Sequence, residues 1–145
     1  MSFSKSFLAP SVLFYAFLLC GACASAIAPY DHYAYLQATS LKVEALELLD
    51  TATEPYSMHA EEVRSFKRRM KKAYEYVRAL PKNDLTRRQY EILMNSQGHS
   101  LFGVLNRWES SGRLSPAFVQ QIRPQIAAHF DQVIALEAAK IKRFP

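Results

Sequence analysis

A chain of 145 residues, half of them hydrophobic and carrying a net charge of +5, has the size of one domain and can bury a core without covalent staples. Its two cysteines, Cys20 and Cys23, both lie near the start. A product processed beyond them would hold no thiol, which excludes disulfides, thiolate metal sites, cysteine nucleophiles and c-type haem attachment.

The first residues have the three-part pattern of a secretory signal. Lys5 supplies the positive start, Leu8 to Leu19 the apolar stretch, and Cys20-Gly-Ala-Cys23-Ala-Ser-Ala26 the small-residue exit. Ala22-Cys23-Ala24 and Ala24-Ser25-Ala26 both offer small residues for cleavage, so the expected signal is 1–26 and the expected domain is 27–145. Two other fates follow from the same letters. Cys20-Gly21-Ala22-Cys23 resembles a bacterial lipobox, which would put a lipid on Cys23. Phe7 to Ala28 is also long enough to span a bilayer uncleaved. The expected location is the periplasm or outside the cell, or alternatively the membrane as a tethered lipoprotein.

Four helices follow from periodicity and punctuation. The first covers about Tyr33 to Ala52, opened by Asp31, with the stripe Ala34, Ala38, Leu41, Ala45, Leu48, Ala52. The second covers about Met58 to Leu80, capped by Ser57 and stopped by Pro81, with the stripe Val63, Phe66, Met70, Ala73, Val77, Leu80. The third begins at Thr86, where Thr86-Arg-Arg-Gln89 reads as a capping box. Its stripe is Tyr90, Leu93, Gln97, Leu101, Val104, Trp108. Gly98 and Gly103 imply a close approach or a local break near Gln97-Gly98-His99. Gly112 closes it. The fourth opens with Ser115-Pro116 and carries Val119, Ile122, Ile126, His129 or Phe130, Val133 and Leu136, with a kink expected at Pro124. No segment alternates like a strand. The expected fold is all-α, an up-down-up-down antiparallel four-helix bundle.

Charge is unevenly spread. Between Asp31 and Glu62 the acidic Asp31, Glu44, Glu47, Asp50, Glu54, Glu61 and Glu62 face Lys42 alone, whereas Arg64 to Arg88 holds ten cations against Glu75 and Asp84. An export signal makes nucleic acid an unsuitable counterion. An anionic lipid, a cell-wall polymer or an envelope protein fits better. The candidate binding residues are Arg64, Lys67, Arg68, Lys71 and Lys72, with Tyr76 or Tyr74 beside them, since Tyr and Arg are enriched in binding hot spots. The simpler alternative is that the basic second helix complements the acidic first one inside the fold.

Motifs for chemistry are sparse. No Glu precedes a His by three residues, as a dinuclear metal bundle would need. No nucleophile elbow, His-Glu-x-x-His or phosphate-binding glycine loop occurs. Carboxylates such as Glu44, Glu47 and Asp50 read as a solvated face, so no cofactor, metal or enzymatic role is expected, although catalytic carboxylates leave no signature of their own. A haem-carrying bundle would draw axial ligands from Met58, His59 and His129, but His129 lies about 20 Å further along the axis than His59. His129 reads instead as a core histidine, and His59 and His99 as surface ones.

Leu85-Thr86-Arg-Arg-Gln89 resembles the Leu-Thr-x-x-Gln motif of the small helical periplasmic chaperones of the Spy and CpxP type, and Leu114-Ser115-Pro116-Ala-Phe118 resembles a second copy without the Gln. That resemblance implies a chaperone-like or stress-sensing role. Helix capping explains the same letters, and the chaperones are richer in Met and Gln and poorer in Tyr and Trp.

Overall fold

A computed structural model describes residues 28–141. The signal, its cleavage positions and Cys23 lie outside the described residues. Within them the chain is all-helical, with five helices and no strand: α1 (His32–Thr51), α2 (Tyr56–Ala79), α3 (Asp84–Leu93), α4 (Leu101–Ser111) and α5 (Pro116–Ala139).

Local chemistry explains most of the boundaries. Asp31 caps α1 by accepting from the Ala34 N–H at 2.9 Å. Ser115 caps α5 in the same way toward Phe118, with Pro116 at the first helical position. Gly112 ends α4 at φ +75°, a backbone conformation that costs glycine nothing. α5 continues through Pro124 to Ala139.

The third expected helix is two helices. After Leu93 the chain turns through 95–100. There the Asn95 side chain accepts from the Gln97 N–H at 2.9 Å, and Gly98 takes φ +68°. Ser100 then caps α4, accepting from the Gly103 N–H at 3.2 Å. The expected capping box does not form either. α3 starts earlier, at Asp84 with Asn83 before it, so Thr86 lies inside the first turn and its hydroxyl is spent elsewhere. Likewise α2 starts at Tyr56, behind Pro55, rather than at a Ser57 cap.

The apolar stripes turn inward except at their ends, where Leu80 and Leu136 are half-buried. α1 packs on α5 and α2, α2 also on α3 and α4, and α5 also on α3. The core gathers Ala38, Leu48, Phe66, Met70, Leu93, Leu101, Trp108, Ile126 and Phe130, all essentially inaccessible. Fully burying a side chain such as Phe or Leu stabilises by about 1.5–3 kcal/mol, so these stripes supply the main driving force.

Both ends are pinned by non-helical hydrogen bonds. At one end the α1–α2 loop pairs with the α4–α5 loop: Leu114 N–H donates to Ala52 O at 2.9 Å and Tyr56 N–H to Gly112 O at 2.8 Å. The Trp108 indole N–H adds a bond to Glu54 O at 3.0 Å. At the other end Ala28 N–H donates to Lys82 O at 2.9 Å.

Candidate functional site

The candidate surface is the outer face of α2. Valine, phenylalanine and methionine at 63, 66, 70 and 77 hold one side of this helix in the core, which forces the residues between them outward. Arg64, Arg68, Lys71 and Lys72 are exposed along that outward side. Arg64 and Arg68 share one carboxylate, Glu61, at 2.8 and 3.1 Å. The hydrogen bond from Arg64, with that from Arg68, holds the Glu61 carboxyl below its ordinary range. Lys71 and Lys72 make no ion pair among the described residues.

The charge segregation seen in the sequence is not neutralised between α1 and α2. Among the described residues one ion pair joins the two helices, Arg69 to Glu44 at 2.7 Å. The acidic helix turns its other ion pairs toward α5: Asp50 is gripped by Arg123 at 2.7 and 3.1 Å, and Lys42 pairs with Asp131. Exposed pairs of this kind contribute about 0–1 kcal/mol each. They orient side chains more than they hold the fold.

Lys67 and Tyr76 leave the outer face in opposite directions. Lys67 is turned toward α4, donating to Asn106 Oδ1 at 2.8 Å and sitting 5.7 Å from the Phe102 ring centre. Burial there pushes its ammonium pKa down. Tyr76 turns toward α1: its hydroxyl donates to Asp31 Oδ2 at 2.7 Å, and its ring meets Tyr33 edge-on at 4.8 Å. The hydrogen bond to Asp31 raises the Tyr76 pKa. Asp31 itself is pulled two ways. Burial raises its pKa, but the Ala34 N–H and the Tyr76 hydroxyl outweigh this, and the carboxyl is held below its ordinary value. Tyr74 points to the other flank, donating to Glu91 at 2.9 Å with Arg78 over its ring. The contiguous exposed cations are therefore Arg64, Arg68, Lys71 and Lys72, with neither tyrosine hydroxyl free beside them.

No family model matches this chain, and no curated protein and no solved structure matches it either.

His99 is exposed, as its sequence reading expects, but His59 and His129 differ from theirs. His59 is no free surface residue: its side chain is 15 % exposed. Nε2 meets Glu54 at 2.8 Å, Nδ1 meets Glu62 at 3.4 Å, and the ring lies 5.5 Å from that of Trp108. The Glu54 hydrogen bond raises its pKa above the ordinary value, against some desolvation. With both ring nitrogens engaged, His59 is occupied as a bracket between the α1–α2 loop and α2. His129 is half-buried, and its Nδ1 finds no partner among the described residues. Among the described residues no three His, Cys, Asp or Glu side chains group as a metal site.

One polar cluster escaped the sequence reading. Asn83, Thr86, Glu137 and Lys140 are buried together where α5 ends against the start of α3. Tyr90, also fully buried there, has its hydroxyl pKa raised by burial and by the nearby Glu137 charge.

Proposed function

We propose that this chain is an exported, non-enzymatic protein of the bacterial envelope that docks on an anionic surface through the outer face of α2. In this reading 1–26 is its secretory signal. The helices make an up-down-up-down four-helix bundle in which α3 and α4 together form the third arm, interrupted at 95–100. The pairwise contacts of α1 with α2 and α5, and of α3 with α2 and α5, support that arrangement.

One observation carries the docking reading. Arg64, Arg68, Lys71 and Lys72 project from one helix. Arg64 and Arg68 share the Glu61 carboxylate, and Lys71 and Lys72 make no ion pair among the described residues. α1 reaches α2 through the Glu44–Arg69 pair, while Lys42 and Asp50 pair with α5. Internal pairing among the described residues thus offsets only one of the four charges on this stripe, through Glu61. A cation brought near an anionic membrane surface gains about 1 kcal/mol, so four cations less the Glu61 charge beside them would give a binding term of about 3 kcal/mol. Such binding is screened by salt within about 10 Å at moderate ionic strength.

The test is flotation of the purified mature protein with vesicles rich in phosphatidylglycerol and with neutral phosphatidylcholine vesicles. Co-flotation with the anionic vesicles alone is expected, with release as salt is raised. Equal behaviour on both, or retention at high salt, contradicts it. Binding to an acidic envelope protein in place of lipid would keep the face and change the partner.

A further inference from the structure

Asn83 is 4 % exposed, Thr86 1 %, Glu137 0 % and Lys140 3 %. Lys140 Nζ donates to Glu137 Oε1 at 2.6 Å and to Asn83 Oδ1 at 2.6 Å. Thr86 Oγ1 donates to the same Glu137 oxygen at 2.6 Å. The Asn83 amide is oriented by its own NH2 group, which donates to Val77 O at 3.1 Å, so its carbonyl end faces the lysine. The second Glu137 oxygen, Oε2, is buried with no partner among the described residues, as is the Tyr90 hydroxyl. As a stabilising device this is a poor bargain, because a buried ion pair seldom outperforms the apolar residues that could replace it. It also holds the groups of a reaction site together. It presents an amine, a carboxamide carbonyl beside it, and a carboxyl group touching the amine, all shielded from water.

We infer that Lys140 and Asn83 are joined by an amide bond formed within the folded chain, with Glu137 carrying the protons. Transfer of one proton from Lys140 Nζ to Glu137 along the existing hydrogen bond leaves a neutral amine and a neutral acid. The amine lone pair adds to Asn83 Cγ, and the carbonyl electrons move onto Oδ1. Nζ then gives up a second proton and Nδ2 receives one, both by way of the Glu137 carboxyl. Its unpartnered Oε2 is available for that exchange while Thr86 holds Oε1. Collapse of the intermediate breaks the Cγ–Nδ2 bond and expels ammonia. One C–N bond forms and one breaks, so no oxidant or other reactant is needed. Fixing amine and carbonyl in contact replaces a bimolecular encounter by a unimolecular one, the largest advantage a fold can give such a step.

The bond would tie the start of α3 to the end of α5 across 57 positions of sequence. A processed chain without thiols would thereby gain the covalent closure that disulfides give other exported domains, constraining the unfolded state in the same way.

The test is the intact mass of the folded wild-type protein, followed by proteolysis and peptide mass analysis. The expected result is a mass below that of the linear chain by one ammonia, with a branched peptide linking the Asn83 and Lys140 segments. Lys140→Arg and Glu137→Gln should each restore the linear mass, and the Lys140→Arg protein should melt at a lower temperature. A wild-type protein of linear mass, or an ammonia loss without the branched peptide, overturns the inference. A branched peptide that persists in Glu137→Gln overturns the role given to that carboxyl.

Discussion

Gly103→Ala puts the break between α3 and α4 under direct strain. An added Cβ would lie 2.6 Å from Gly98 O and 2.8 Å from both the carbonyl carbon and oxygen of Gln97. All three are main-chain atoms, and their turn is tied down by Asn95 on the Gln97 N–H and by the Ser100 hydroxyl on Gln97 O. The clash cannot be relieved by rotating a side chain. Inserting a methyl into a packed site costs about 1–3 kcal/mol, and rigid neighbours place this case at the upper end. Against that, alanine gains about 1 kcal/mol over glycine in a helix. The net expectation is a loss of about 1–2 kcal/mol, or a fall in Tm of about 4–8 °C for a domain of this size. Urea unfolding followed by far-UV circular dichroism measures it, with an unchanged m-value expected. Gly98→Ala is the companion variant: its Cβ would meet nothing within 4 Å, but its φ of +68° is strained for alanine. Gly103→Ala as stable as wild type, or more so, would refute the close approach.

Further outcomes follow from individual contacts. Phe66→Ala empties a fully buried position and should lose about 3–5 kcal/mol in chemical denaturation. His59 is held above its ordinary pKa when folded, so the folded chain binds that proton more tightly than the unfolded one. Its contribution is fully present below about pH 6.5 and is lost as pH rises through the folded value. The Tm advantage of wild type over His59→Gln should therefore shrink between about pH 6 and about pH 8, and a constant gap would contradict the bracket. Asp31 has the opposite sign: its lowered pKa gives stability that is present above about pH 4 and is lost as acid protonates it. Tyr76→Phe removes the hydroxyl donor to Asp31, and should speed amide exchange at Ala34 while leaving vesicle retention unchanged.

Helices and core were legible because each stripe keeps its spacing. Ala34 to Ala52, Val63 to Val77 and Val119 to Val133 are all found buried where periodicity put them. Gln97 fell out of its stripe because the Asn95, Gly98 and Ser100 chemistry supplies a turn that satisfies the backbone better than a continuous helix. The two glycines were the readable sign of that break. Glu137 could not be foreseen. The expected stripe runs from Val133 to Leu136, but Leu136 is only half-buried and Glu137 takes the inward position. A lone charge argues for the surface unless its partners are known. Those partners, Thr86 and Lys140 with Asn83 behind them, belong partly to a helix far away in sequence. Lys67 shows a milder form of the same limit. It flanks Val63, Phe66 and Met70 on the helix, so half-burial was readable, but Asn106 and Phe102 as its neighbours were not. For His59 the sequence offered Glu62 one turn away and gave no hint of Trp108.

Charge reversal on the outer face of α2 decides whether its cations bind. Arg68→Glu, Lys71→Glu and Lys72→Glu combined should leave the helical content and melting transition nearly intact, because none of the three side chains enters the core. With about 1 kcal/mol lost per cation, apparent affinity for anionic vesicles should fall about 100-fold or more. A folded triple variant that still floats with anionic vesicles as wild type does would contradict the account.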